Sequence, residues 1–417
     1  MSIILNLLLS AALSAAPGDT VYVSDATPLI REEFRPLAEM LSITPAFLPT
    51  SGNSLEIITD GLRYKELFTR DLEKASGSVE IECLLFGDDN VGHVVKEMLV
   101  EKVSEGTHVR YMHEPFGNFF DSAFDDRPVL TGFYLQMEKD GIDKRDFYTP
   151  YKFLCRTREL NHRKISVVDG GIAYAGGMNI TDGSMGDWGD THIRVSGPAA
   201  YDLRAIFFQN WNNFKGAGDE KVPMSVRRSS VPAPERGVIL QTVSDGPDVP
   251  AHTCMEAVIW ALEHASSYVY FQTPYYCPPQ RVVKAMKRAA ERGVDVRIII
   301  PGACDISLCD PVNRSYYKTL TESGVKVYER EQFNHSKVFV ADDYLGCIGS
   351  SNLDKLSMRY LYEVNTFLYD EGVAASMKAN FLERAAESEL ITDEHIRRWS
   401  VGKKMLQGAS RLLTPVL

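Results

Sequence analysis

The chain has 417 residues, 44% hydrophobic and 24% charged, with a formal net charge of −11 and an isoelectric point near 5.4. That length holds about two domains, each large enough to bury its own core. The acidic balance weighs against a duplex nucleic-acid substrate, whose binders gather an excess of Lys and Arg. Seven cysteines, at 83, 155, 254, 277, 304, 309 and 347, contain no C-x-x-C pair, which gives neither an even disulfide framework nor a zinc spacing. They read as reduced thiols in or beside apolar strands, with a Cys304–Cys309 pair across one loop as the alternative.

Met1 to Ala16 is apolar apart from Asn6 and three serines and ends in Ala15-Ala16 before Pro17. Its make-up is that of a signal-peptide core, although no Lys or Arg precedes it. As a helix it spans about 24 Å, short of the roughly 30 Å hydrocarbon layer. It is expected either to export or anchor the chain, or to lie as a helix on the membrane or the protein. With the Pro-containing stretch that follows, it makes residues 1–54 an N-terminal targeting or anchor-like segment. No other run approaches 18 apolar residues, so the body is not expected to span a membrane.

Residues 55–214 read as a first α/β repeat. Val79-Glu80-Ile81-Glu82 leads through a helical stretch to Glu105-Gly106-Thr107-His108-Val109-Arg110, a β-α-β unit with Gly at the helix stop. Residues 116–153 hold ten aromatics, among them Phe119, Phe120, Phe124, Phe133, Tyr134, Phe147 and Tyr151. This stretch is either a packed insertion with its own small core or an apolar wall for acyl chains. Residues 215–236, rich in Gly, Pro, Ser and charge, read as a connector. Residues 237–390 repeat the pattern: Tyr268-Val269-Tyr270-Phe271 leads to Arg292-Gly293-Val294-Asp295-Val296-Arg297. In residues 391–417, Arg397, Arg398, Lys403, Lys404 and Arg411 alternate with Trp399, Met405, Leu406, Leu412 and Leu413. Such a basic amphipathic tail either lies on an anionic membrane or docks on the body.

One short pattern occurs in both repeats. The first copy is His162-Arg163-Lys164, Asp169 and Gly176-Gly177-Met178-Asn179; the second is His335-Ser336-Lys337, Asp342 and Gly349-Ser350-Ser351-Asn352. Four residues separate Lys from Asp and six separate Asp from the first Gly in each. Duplication at this length marks a repeated domain. Ile165 to Val168 and Val338 to Ala341 read as buried strands, and on an extended chain His and Lys two positions apart share a face. Asp190-Thr191-His192 in one half matches Glu363-Val364-Asn365 in the other, so each half offers a carboxylate suited to orienting an imidazole.

These motifs resemble the phospholipase D superfamily and, within it, the bacterial cardiolipin synthases. The narrower likeness rests on Gly-Gly-Met-Asn at 176–179, Asp190-Thr191-His192-Ile193-Arg194 with Gly197-Pro198, Thr273-Pro274-Tyr275-Tyr276 with Pro278, Asn352-Leu353-Asp354 and the terminal Leu413-Thr414-Pro415-Val416-Leu417. The stretch before Val79 lacks the two long apolar helices that many such synthases carry. The resemblance implies two pseudo-symmetric α/β repeats packed face to face with the active site at their interface.

It also implies the chemistry. His162 is expected as nucleophile and His335 as acid, with the reverse order open; both roles suit an imidazole titrating near neutral pH. Lys164 and Lys337 would supply charge to the phosphate, Asn179 and Asn352 amide donors, and Asp190 and Glu363 orientation of the histidines. Asp169 and Asp342 complete the catalytic motifs and are expected to brace strand and lysine. No metal or other cofactor is expected. The implied substrate is phosphatidylglycerol at a bacterial membrane surface. A second phosphatidylglycerol accepting the phosphatidyl group would make a cardiolipin synthase; water would make a hydrolase releasing phosphatidic acid. A nuclease or other phosphodiesterase is the remoter alternative.

Overall fold

The computed structural model describes residues 24–43, 47–118, 132–147, 159–213, 237–247, 249 and 251–411. After a short helix, α1 (Arg35–Leu41), the first half runs β1 (Thr50–Ile58), α2 (Gly61–Glu73), β2 (Ser78–Cys83), α3 (Asn90–Ser104), β3 (His108–His113), α4 (Phe133–Lys139), β4 (Asp143–Asp146), β5 (Ile165–Val168), β6 (Ile172–Gly176), β7 (His192–Ser196) and α5 (Pro198–Asn213). The second runs β8 (Val238–Asp245), α6 (Thr253–His264), β9 (Tyr268–Gln272), β10 (Tyr276–Cys277), α7 (Gln280–Glu291), β11 (Asp295–Pro301), α8 (Cys309–Ser315), α9 (Tyr317–Thr321), β12 (Lys326–Arg330), β13 (Val338–Ala341), β14 (Leu345–Gly349), β15 (Leu353–Asp354), β16 (Glu363–Tyr369), α10 (Glu371–Ala386) and β17 (Glu389–Ile391). Two helices follow, α11 (Asp393–Arg398) and α12 (Val401–Ser410).

The strand order is β17-β12-β11-β9-β13-β14-β16-β8-β1-β7-β6-β5-β2-β3-β4, with β10 and β15 as a separate parallel pair. Outward from the central antiparallel β1–β8 contact, both arms repeat one topology: β7-β6-β5-β2-β3 on one side, β16-β14-β13-β9-β11 on the other. The expected pair of α/β repeats is therefore present. The halves meet edge to edge through Thr50↔Leu240 and Asn53↔Val238, and β6 and β7 also pack on β14 and β16.

Local chemistry repeats with the topology. The chain leaves α3 through Gly106 at φ 92° and α7 through Gly293 at φ 90°. In each case the two amides after the helix bond back to its last turn: Gly106 to Val103 and Thr107 to Lys102, Gly293 to Ala290 and Val294 to Ala289. Both are Schellman stops, which need a residue at positive φ and so favour glycine. One apolar core crosses the seam, with Ile165, Val167, Ile193 and Val195 of the first half joining Leu240, Val243, Val364 and Phe367 of the second. A separate cluster of Tyr64, Phe68, Val79, Ile81, Val95 and Leu99 fills the outer side of the first half.

Of the aromatic insertion, Phe133 is buried in that outer cluster. Tyr134 donates its hydroxyl to Phe86 O at 2.8 Å, and Phe147 packs on Tyr362 with ring centres 4.9 Å apart. Phe133 and Phe147 thus pack into two separate clusters of the body; Phe119, Phe120, Phe124 and Tyr151 lie outside the described residues, as do Met1 to Ala16 and the connector. The described part of the tail docks on the body. Trp399 contacts Tyr317 and Arg411 lies over Tyr316, while Val401, Met405 and Leu406 on α12 are exposed. Among the described residues no helix is long and apolar enough to cross a membrane, and six cysteines, Cys304 and Cys309 included, are free thiols.

Asp169 and Asp342 both stand at positive φ, 50° and 48°, in three-residue turns joining β5 to β6 and β13 to β14. Asp tolerates this left-handed conformation better than most residues. Asp169 accepts from the amides of Ser76, Gly77 and Ser78 at 3.1, 2.7 and 3.0 Å. Asp342 accepts from Ser266, Ser267 and Tyr268 at 2.6, 2.9 and 3.0 Å. Each carboxylate thus ties the hairpin to the start of the neighbouring strand. These backbone hydrogen bonds hold Asp169 below the usual carboxylate range, against burial, which alone would raise it. Asp169→Asn keeps the turn but loses the charge on these bonds, and should cost about 1–2 kcal/mol, read as a lower urea midpoint. Asp169→Ala, which also strains the turn, should cost more.

Candidate active site

Each His-x-Lys segment is held by the other half before its strand begins. His162 N donates to Tyr362 O at 2.9 Å, and Tyr362 N donates to Leu160 O at 2.9 Å. At the pseudo-symmetric place Gly189 N donates to Phe333 O at 3.1 Å, and His335 N donates to Gly189 O at 2.5 Å. The residues after Tyr362 and Gly189 are Glu363 and Asp190. This pairing delivers each carboxylate to the opposite histidine. His162 Nδ1 lies 2.9 and 3.0 Å from the two Glu363 oxygens, and His335 Nδ1 lies 2.7 Å from Asp190 Oδ2. A carboxylate on Nδ1 fixes the ring and leaves Nε2 for chemistry.

All six side chains of these sets are buried: His162, Lys164, Asp190, His335, Lys337 and Glu363. Lys164 Nζ donates to His162 O at 2.7 Å, and Lys337 Nζ to His335 O at 2.5 Å. The turn after each hairpin serves the carboxylates differently. Ser350 donates its hydroxyl to Glu363. Its counterpart is Gly177, where a Cβ would stand 2.1 Å from Asp190 Oδ1, so only glycine leaves room for that carboxylate. Asn179 accepts from Leu85 N at 3.2 Å, and Asn352 hydrogen-bonds the buried Asp354 carboxyl. Both amides line the same turns as Gly177 and Ser350. Asp169 and Asp342 sit at the far ends of β5 and β13, some five residues or roughly 16 Å along an extended chain from the lysines.

Burial dominates the electrostatics. It pushes His162 down to about 4, with Glu363 opposing and Lys164 and Lys337 reinforcing the fall. His335 is lowered by burial and then by Lys337. Lys164 falls to about 7 through burial and then the charge of Lys337, and Lys337 falls to about 8 through burial. Lys337 thus acts on residues of both motifs, so the two sets share one field. A pocket that suppresses four cationic groups is short of an anion, and a bound phosphodiester would restore their charge.

Several neighbours of the site carry no repeat signal. Trp188, Phe333 and Tyr275 surround His335 with ring centres 5.9, 5.8 and 6.4 Å away, and Tyr275 donates to Asp305 at 2.5 Å. Arg384, buried on α10, reaches Ser336 Oγ at 2.8 Å. Among the described residues no group of three or more His, Cys, Asp or Glu is placed to hold a metal ion.

Comparison with known proteins places this chain in a family. Residues 258–385 match the family model described as "Cardiolipin synthase, PLD-like domain". The chain is 31% identical over 401 residues to a cardiolipin synthase of Geobacillus sp. (strain WCH70), covering 93% of this chain and 77% of that one. It is 30% identical over 395 residues to that of Listeria welshimeri serovar 6b, covering 93% and 80%. Among solved structures, phosphatidylserine synthase from Haemophilus influenzae Rd KW20 superposes with a TM-score of 0.65 at 12% identity, covering 87% of this chain and 95% of that one, a likeness of fold. The chain belongs to the cardiolipin synthase family, phosphatidyltransferases of the phospholipase D superfamily.

Proposed function

We propose that this enzyme moves a phosphatidyl group from one phosphatidylglycerol to another through a phosphohistidine on His162, releasing glycerol and forming cardiolipin. The observation that carries the reading is the crossed pair of histidine–carboxylate contacts around two buried lysines. It supplies two imidazoles of the same build and one cationic pocket between them, which is what a two-step exchange at a single phosphorus requires.

In the first step neutral His162 Nε2 attacks phosphorus, and the bond from phosphorus to the glycerol oxygen breaks. His335, protonated, gives that oxygen its proton. In the second step a hydroxyl of the acceptor phosphatidylglycerol attacks, its proton passes to His335, and the N–P bond breaks to return His162 neutral. Lys164 and Lys337 compensate the charge on the non-bridging oxygens, with Asn179 and Asn352 as amide partners. Glu363 and Asp190 hold the rings, while Asp169 and Asp342 brace the strands that carry them. The reaction is placed at a bacterial membrane surface. Exposed Val401, Met405 and Leu406 beside Lys403 and Lys404 on α12 suit an anionic lipid face.

His162→Ala and His335→Ala should each lower cardiolipin formation at least roughly a thousand-fold. His335→Ala should accumulate a lipid–protein adduct on His162, seen by mass spectrometry. An adduct on His335 in a His162 variant reverses the two roles.

The dependence of kcat/KM on pH follows from the shifted groups. His162 is neutral above about 4, so activity should fall on the acid side only near that pH. His335, the proton donor, is lowered by burial and loses its proton first, while Lys164 at about 7 and Lys337 at about 8 carry charge below those values and lose it above them. An alkaline fall that begins below about pH 7 and continues past about pH 8 is therefore expected, and a profile flat to pH 10 contradicts it.

In mixed micelles with phosphatidylglycerol, the purified enzyme should release glycerol and form cardiolipin in near-equal amounts. Phosphatidic acid as the chief product across a range of lipid concentrations identifies a hydrolase instead.

A further inference from the structure

The duplicated motif differs at the residue between His and Lys, which is Arg163 in the first half and Ser336 in the second. Arg163 Nε donates to Glu363 O at 3.1 Å, and its Nη2 to Asp245 O, at the end of β8, at 3.3 Å. The second half has no arginine between His335 and Lys337, yet the equivalent carbonyl, that of Asp190, is occupied. Arg384 Nη2 donates to Asp190 O at 3.5 Å and to Thr59 O, just past the end of β1, at 3.3 Å. Two guanidinium groups from unrelated positions thus hold the backbone carbonyls of the two residues whose carboxylates grip the histidines.

Their surroundings are exchanged in step. In the first half Asn161 donates to Glu82 Oε1 at 2.8 Å, and Asn210 of α5 donates to the same oxygen. In the second, Asn334 donates to Gln272 Oε1 at 3.2 Å, and Arg384 of α10 donates to the same oxygen at 2.9 Å. Glu82 and Gln272 occupy equal registers, opposite Ile165 and Val338. The arrangement Arg, Glu and Asn in one half is therefore Ser, Gln and Arg in the other. Arg384 also reaches Asn334 Oδ1 and Ser336 Oγ at 3.0 and 2.8 Å.

We propose that Arg163 and Arg384 are functionally equivalent positioning residues, each setting the carbonyl of Glu363 or Asp190 and thereby the aim of the carboxylate at the opposite histidine. The inference rests on the reading of His162 and His335 as the reacting pair. Guanidinium presents its donors in a rigid planar fork, which lysine or amide side chains do not reproduce. Removing it takes a donor from five acceptors around Asp190, among them the carbonyls of Asp190 and Thr59.

Arg384→Asn should lower kcat roughly ten- to hundred-fold, as losses of outer ligand supports do, with KM little changed. The alkaline limb of kcat should move to lower pH, because a loosened Asp190 no longer favours the charged form of His335. Moving the first half's arrangement into the second, with Gln272→Glu and Ser336→Arg added to Arg384→Asn, should recover at least about ten-fold of that loss and return the limb. A folded triple variant no more active than Arg384→Asn overturns the proposal. Arg384→Lys keeps the charge without the fork and decides the matter if the triple variant does not fold. It should retain less than about a tenth of wild-type kcat, and full turnover in it overturns the proposal. His335→Ala separates the two layers of the argument. Turnover in His335→Ala refutes the paired-histidine mechanism itself, whereas an inactive His335→Ala beside a fully active Arg384→Lys refutes only the arginine assignment.

Discussion

Neither half of this protein owns a complete histidine–carboxylate pair, because each histidine takes its carboxylate from the other half. His162 with Glu363 and His335 with Asp190 are short, buried contacts across the seam. A buried imidazole next to an unpaired buried carboxylate is costly in either protonation state, so the halves are stable only in the one relative placement that satisfies both pairs. The β1–β8 contact, the bridges at Tyr362 and Gly189, and the apolar core shared across the seam all serve that placement. Thr191 and Ser336, whose hydroxyls meet at 3.0 Å, add a smaller stitch beside it.

The global charge and the local field of the site point in opposite directions. The chain as a whole carries −11, yet its centre buries two lysines, each held by the carbonyl of its own histidine. Surface carboxylates are screened by solvent and salt over about 8–10 Å, so they do little to offset charge in a buried pocket. An acidic exterior is thus compatible with an anion-seeking interior. The cost of desolvating Lys164 and Lys337 is what primes the pocket for a phosphodiester, since burial weakens both charges until an anion arrives.

Periodicity and duplication made the α/β repeats, the glycine helix stops and the two His-x-Lys strands legible from the chain alone. They also picked out Asp190 and Glu363 as partners for the histidines. The crossing was not legible: a carboxylate eleven residues past its motif reads as serving its own half until the seam pairing is known. The local role of Asp169 and Asp342 as turn residues that collect three amides each depends on φ and on distant backbone, neither of which spacing reveals. Arg384 carried no signal because the matching helix of the first half bears Asn210 in its place, and the partners of that helix face are set only by packing. The aromatic rings around His335 come from three separate loops and strand ends, and the order of residues does not bring them together.

The near two-fold relation between the arms, with β1 and β8 antiparallel at its centre, has a consequence for ancestry. A polypeptide of half this length, folding as one arm alone, would hold a histidine with no carboxylate and a carboxylate with no histidine. Two copies joined through that central strand would supply both at once. The fused chain is in effect a homodimer made permanent, and fusion freed its two sides to diverge. The arginine that sits on the strand in one arm and on a helix in the other records that freedom, a drift that identical subunits under a strict symmetry could not have undergone.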